Sequence, residues 1–284
     1  MNPLAIHSYT FIPTWTTALG EKAALMAGAA GYSRLVIPLR DHAAIEPPAI
    51  VSFLEKYGLE AVTTANQRPD ADISSTDREI WRAGLERHRT SLRLARDIGA
   101  RHMGGIIYSV FGKAQHAPSQ ENTKAVAEAL AILADDAAAM GMRLALEIVN
   151  RYESNLINTV AQGVDMMQRV GAKNLHLHLD TFHMNIEEED PLAALEQALP
   201  YLAYFEIDQN NRGPLDRGSI DFSPMLTRLR TAGYRDMIGV EAFSSAISGP
   251  EVAAGVGAWR NLFDDGAAVA RSGIEVLRRA GFAA

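Results

Sequence analysis

Short runs rich in branched apolar residues alternate from end to end of this chain with longer segments whose apolar residues recur at helical spacing. The runs are LAIHSY from Leu4, RLVIPL from Arg34, EAVTTA from Glu60, HMGGIIYS from His102, RLALEIVN from Arg143, LHLHLD from Leu175, YFEID from Tyr204 and MIGVEAF from Met237. The intervening segments include TDREIWRAGLERHRTSLRLARDIGA and NTKAVAEALAILADDAAAMGM. Their periodicity predicts helices. Ser75 or Thr76 and Asn122 stand where N-caps belong, and Gly31, Gly99, Gly141 and Gly171 stand where a helix should stop before the next strand. Eight strand–helix units in 284 residues predict an α/β chain folded as one (β/α)8 TIM barrel domain over residues 1–284. The rival is a doubly wound open sheet, but no G-x-G-x-x-G follows the first strand. The richest irregular segments, NQRPDADISS, VFGKAQHAPSQ, QNNRGPLDRGS and SSAISGPEVAAGVGAW, all follow strands. In a barrel they share the face that carries chemistry.

Composition narrows the chemistry. A formal charge of −7 disfavours a nucleic-acid partner, because binding a phosphate backbone rests on clustered Lys and Arg. There is no cysteine, which excludes disulfides, thiolate metal sites and cysteine nucleophiles. MNPLAIHSYTF lacks a basic stretch followed by an apolar core, and no apolar run approaches membrane-spanning length. The expectation is a cytoplasmic protein, off the membrane, with a small polar ligand.

Strand side chains alternate between faces. With Leu144, Leu146 and Ile148 turned toward the helices, Glu147 faces inward; Leu175, Leu177 and Leu179 leave His176, His178 and Asp180 inward; Phe205 and Ile207 leave Glu206; Ile238 and Val240 leave Glu241. Four consecutive strands thus aim one carboxylate each at the axis near its C-terminal end. Singly, such an acid is more often a solvated rim residue or a cap. Together, like charges in a confined site repel by a few kcal/mol per pair even at an effective dielectric of about 20. They need protons or a cation. Oxygen-dominated ligation suits Mg²⁺ or Mn²⁺, with Co²⁺ open. His176 and His178 read as hydrogen-bonded core histidines ahead of groups that orient carboxylates. His7, inward on the first strand, is a candidate pocket residue.

Three strings, LEIVNRYESNLINT (Leu146 to Thr159), HLDTFHMNIEE (His178 to Glu188) and NRGPLDRGSIDF (Asn211 to Phe222), resemble the D-tagatose 3-epimerase family of ketose 3-epimerases, within the xylose-isomerase-like barrels. The similarity extends into DADISSTD, GGIIYSVFGK and IHSYTF and so covers most of the chain. It implies a divalent metal, Mn²⁺ first, held by Glu147, Asp180, residue 206 and Glu241. Three of these match the family's Glu, Asp and Glu, while Glu206 stands where the family has histidine. If Glu206 reaches the metal poorly, a water or Asp208 on the same face completes the shell. A second departure is Val36, where family members often carry an acid. The resemblance also implies substrate contacts from Glu153, His183 and Arg212; without it these read as a helix-start acid, a loop hydrogen-bonder and a surface charge.

The implied chemistry is epimerisation of a free ketose at C3 through an enediolate, with Glu147 and Glu241 as acid and base. Alternatives are an aldose–ketose isomerase on the same site and a sugar-binding barrel whose metal site the change at 206 disabled. A metal-dependent phosphodiesterase would need more histidines and a basic groove. A homodimer or homotetramer through the outer helices is also implied.

Overall fold

In the computed structural model, which describes residues 2–282, eight parallel strands close in sequence order into a barrel. They are β1 Leu4–His7, β2 Arg34–Pro38, β3 Glu60–Thr64, β4 His102–Gly104, β5 Arg143–Ile148, β6 Leu175–Asp180, β7 Leu202–Ile207 and β8 Met237–Val240. Around them lie helices α1 Thr17–Ala30, α2 Pro47–Tyr57, α3 Arg78–Asp97, α4 Gln120–Ala139, α5 Val160–Val170, α6 Thr181–Glu187, α7 Pro191–Ala198, α8 Ser223–Thr231, α9 Pro250–Val256 and α10 Gly266–Arg279. The expected (β/α)8 architecture is therefore observed. No helix among the described residues is long and apolar enough to cross a membrane.

The expected helix stops hold: Gly31, Gly99, Gly141 and Gly171 all adopt positive φ. Two caps fall elsewhere. α3 is capped by Asp77, whose carboxylate accepts from Glu79 and Ile80 N–H, and not by Ser75 or Thr76. In α4 the cap is Ser119; Asn122 is the third helical residue and closes a reciprocal capping box with it. Two strands are shorter than their sequence runs. β4 ends at Gly104 because Gly105 turns to φ 92 and its carbonyl accepts from Ile107 N–H. β8 ends at Val240, so Glu241 extends from the first residue beyond the paired strand.

The outward faces of the strands, including Leu144, Leu146, Leu177 and Phe205, are sealed under the helices. Inside, Ala5, Val36, Val62, Tyr204 and Met237 fill the barrel. Tyr204, paired with Met237, fits because its ring lies over Gly239 of β8; a Cβ there would land on the phenol ring. A register shift between β6 and β7 pairs Leu177 with Leu202 but His178 with Tyr204. The extra residue, Ala203, resets the alternation. Tyr204 and Glu206 thereby come level with His178 and Asp180.

Candidate active site

The strands deliver their acids to one cavity at the C-terminal mouth. His7, Glu147, Glu153, Glu206, Arg212 and Glu241 line it, with Asp180 and His183 close behind the wall. All eight residues singled out in the sequence therefore converge. Asp180 also caps α6: its Oδ1 accepts from Phe182 N–H at 2.7 Å, while Oδ2 is buried without a hydrogen-bond partner.

Histidines set the local charge. The backbone N–H of Tyr9 donates to His7 Nδ1 at 3.2 Å, which leaves Nε2 as the protonated nitrogen, 3.7 Å from Glu241 Oε1. Burial lowers the His7 pKa to about 4 against the pull of Glu206 and Glu147, so the ring is neutral. His183 Nδ1 likewise faces the Asn150 N–H at 3.2 Å, and its Nε2 lies 3.6 Å from Glu147 and 3.9 Å from both Glu153 and Asp180. Burial opposes protonation of His183, but Glu153, Asp180 and Glu147 outweigh it and raise the pKa. His178 does more than the core role expected for it. Its Nε2 meets Glu206 Oε2 at 3.1 Å, and its ring stacks on Tyr204 at 4.1 Å. His176 is only part-buried and carries no such contact.

The carboxylates divide. Burial alone would raise Glu147, yet His178, His183 and Arg212 bring it down to about 2. Asp180 is raised to about 6, by burial first and then by Glu206 and Glu147. Glu241 and Asp208 are pushed well above the carboxylate range by burial and by their acidic neighbours. Acids packed this way either keep protons or face a cation. The donor set suits a hard divalent ion. Ligand atoms of Glu147, Asp180 and His183, of Glu147, His178 and Glu206, and of Asp180, Asp208 and Glu241 each gather within 4.8 Å. Asp180 Oδ2 and both oxygens of Asp208 are buried without a hydrogen bond, which is the state such an ion relieves.

Arg212 forms the other half of the site. Its guanidinium lies 4.2 Å over Phe182 and 5.2 Å from the centre of the Phe243 ring. Glu153 at 3.4 Å, Asp208 at 3.5 Å and His183 at 3.2 Å surround it. Among the described residues Arg212 alone is a non-glycine with positive φ, at 58°. Strain of this kind gathers where geometry matters for function. It persists because the Arg212 N–H donates to Gln209 and its carbonyl accepts from Phe243 N–H.

Several partners escaped the sequence reading. Asn150 holds His183 and, through Nδ2, Glu153 at 3.3 Å. The Tyr204 hydroxyl donates to Glu206 Oε1 at 2.6 Å. Phe182 and Phe243 enclose Arg212. Tyr204 shares the inward parity of Glu206 and could have been found from that; the others lie beyond the strand ends, Asn150 and Phe243 in loops and Phe182 in the first turn of α6.

A family described as the xylose isomerase-like TIM barrel matches residues 23–280. The L-ribulose 3-epimerase of Mesorhizobium japonicum is 34% identical over 286 residues, covering 98% of this chain and 96% of that protein. The ketose 3-epimerase of Arthrobacter globiformis is 34% identical, covering 83% and 82%. The crystal structure of a D-allulose 3-epimerase from Methylomonas sp. in complex with D-allulose superposes with a TM-score of 0.95 at 33% identity, covering 98% of this chain and 97% of that one.

Proposed function

The chain belongs to the xylose isomerase-like TIM barrel family and is a carbohydrate epimerase of the ketose 3-epimerase group, and from that premise we propose that it inverts C3 of a free ketose with the help of a bound divalent cation. The observation that carries this reading is the placement of Glu147 and Glu241, one from β5 and one just past β8, in a single cavity beside the Arg212–Glu153–His183 group. Epimerisation at C3 removes the proton α to the C2 carbonyl and returns one on the opposite face. Two carboxylates approaching from different strands satisfy that requirement.

Glu147, Asp180 and Glu241, with an acid from β7, Glu206 or Asp208, would hold the cation. When bound, it supplies Lewis-acid stabilisation of the charge that develops on the C2 and C3 oxygens. Glu147 takes the C3 proton on a carboxylate oxygen from one face, and Glu241 Oε1 returns a proton from the other; the reverse substrate exchanges their roles. His7 Nε2–H, 3.7 Å from Glu241 Oε1, steadies that carboxylate when it is charged. Glu153, His183 and Arg212 fix the sugar hydroxyls near the reacting carbon. The wall of Phe243 and Phe111 limits water at the enediolate. Mn²⁺ ahead of Co²⁺ or Mg²⁺, a cytoplasmic setting and a homodimer or homotetramer complete the proposal, supported by the oxygen-rich donors and the resemblance.

Incubation of metal-stripped and Mn²⁺-loaded protein with a panel of ketoses in D₂O, read by product NMR, tests it. Deuterium at C3 only in the loaded sample is the expected result. Deuterium at C1 or C2 would replace the epimerase with an aldose–ketose isomerase.

A further inference from the structure

β7 brings two acids to the inward face, Glu206 and, just beyond the strand, Asp208, and the structure treats them differently. Both oxygens of Glu206 are engaged: Oε1 accepts the Tyr204 hydroxyl at 2.6 Å, and Oε2 meets His178 Nε2 at 3.1 Å. Asp208 is completely buried, and neither oxygen has a hydrogen bond. Its backbone is fixed from both sides by Thr181, whose hydroxyl donates to the Asp208 carbonyl at 2.7 Å and accepts from its N–H at 2.9 Å. The side chain is thus held on a rigid base with its acceptors unused. A buried carboxylate in that state is costly unless something positive meets it.

One cation is already near, since Arg212 Nε stands 3.5 Å from Asp208 Oδ2. That guanidinium is shared with Glu153 and His183, however, and Nε itself makes no hydrogen bond. Asp208 Oδ1 is left with nothing. Ligand atoms of Asp208, Asp180 and Glu241 lie within 4.8 Å of one another, and Asp180 Oδ2 is also buried without a partner. Three carboxylates with unused oxygens around one point form a closed side of a hard-cation site.

We infer that Asp208, rather than Glu206, is the ligand that β7 gives to the divalent cation, sharing it with Asp180 and Glu241. Glu206, clasped by Tyr204 and His178, acts as a positioning residue that fixes the His178 ring beside Glu147. The inference rests on the cation-dependent reading above, deepens it, and can fail separately.

The test is Mn²⁺ binding to the metal-stripped full chain, with free Mn²⁺ counted by its EPR signal. Asp208→Asn and Glu206→Gln each exchange one carboxylate for an amide of the same shape, so their difference isolates which of the two is the ligand. Loss of a direct ligand should exceed the 10- to 100-fold typical of outer partners, so Asp208→Asn is expected to weaken Mn²⁺ by more than about 100-fold and Glu206→Gln by about 10- to 100-fold at most. Circular dichroism of the metal-free variants checks folding, and Asp208→Ser stands in if the asparagine variant does not fold. Asp208→Asn that binds Mn²⁺ as wild type does, while weakening ketose affinity, would make Asp208 a counter-ion of Arg212 only and overturn the inference. A larger loss in Glu206→Gln would return the ligand to residue 206. Wild-type protein that binds no Mn²⁺ would overturn both this inference and the cation-dependent reading.

Discussion

Arg212 shows how much of a site one residue can concentrate. It accepts a backbone strain of order 1–3 kcal/mol to put a planar cation between two aromatic rings and within reach of Glu153, His183 and Asp208. Lysine keeps the charge but not the fork or the stacking surface. Arg212→Lys should therefore leave the fold intact by circular dichroism while lowering kcat/KM on the preferred ketose by about 100-fold, the scale of a misplacement near 1 Å. Near-wild-type turnover would reduce Arg212 to a charge that any cation can supply. The sequence flags this arginine through the motif around it, and strand parity flags the four acids. Neither signal reaches Asn150, Phe182 or Phe243. Those contacts are made by chain leaving the strands, where no period ties sequence position to direction.

At the scale of elements, periodicity was enough wherever an element buries one face. α3 and β5 are visible as repeating patterns, and the glycine stops follow from the left-handed geometry those positions adopt. What periodicity omits is close contact between elements. Gly84 in α3 lies under the loop that precedes the helix, and a Cβ added there would stand 2.7 Å from the backbone nitrogens of both Asp72 and Ile73. In an isolated helix, alanine at such a place would gain about 1 kcal/mol. Here the obstructing atoms are backbone and cannot rotate away, so overpacking of about 1–3 kcal/mol wins. Gly84→Ala should lower the urea-unfolding free energy by up to about 2 kcal/mol, whereas a stabilised variant would mean that the 72–73 loop yields easily. The β7 register shift belongs to the same class: alternation predicts Glu206 inward, but only pairing to β6 reveals the extra residue that makes it so.

For the whole molecule, the barrel's closure was legible because eight strand–helix units leave few other arrangements, while the balance of charge inside it was not. Acids with raised pKa values lie inside it, and burial keeps His7 and His88 neutral, so acidification acts on the two groups with opposite sign. For Asp180 and Glu241 the folded state binds protons more readily than the unfolded one, so lowering the pH relieves repulsion. For His88, wholly buried on α3, burial and then Arg87 lower the pKa to about 3. The unfolded chain protonates this histidine near 6.5. Between those values the unfolded state binds the extra proton, so stability falls as pH falls, by about 2 kcal/mol at pH 5 from this one side chain. His88→Leu removes that contribution and leaves the acids untouched. Measured by urea unfolding of metal-free protein at pH 7 and pH 5, the difference in stability between variant and wild type should shift by about 2 kcal/mol in favour of the variant. Parallel pH dependence in the two proteins would mean that His88 accepts a proton within the folded barrel.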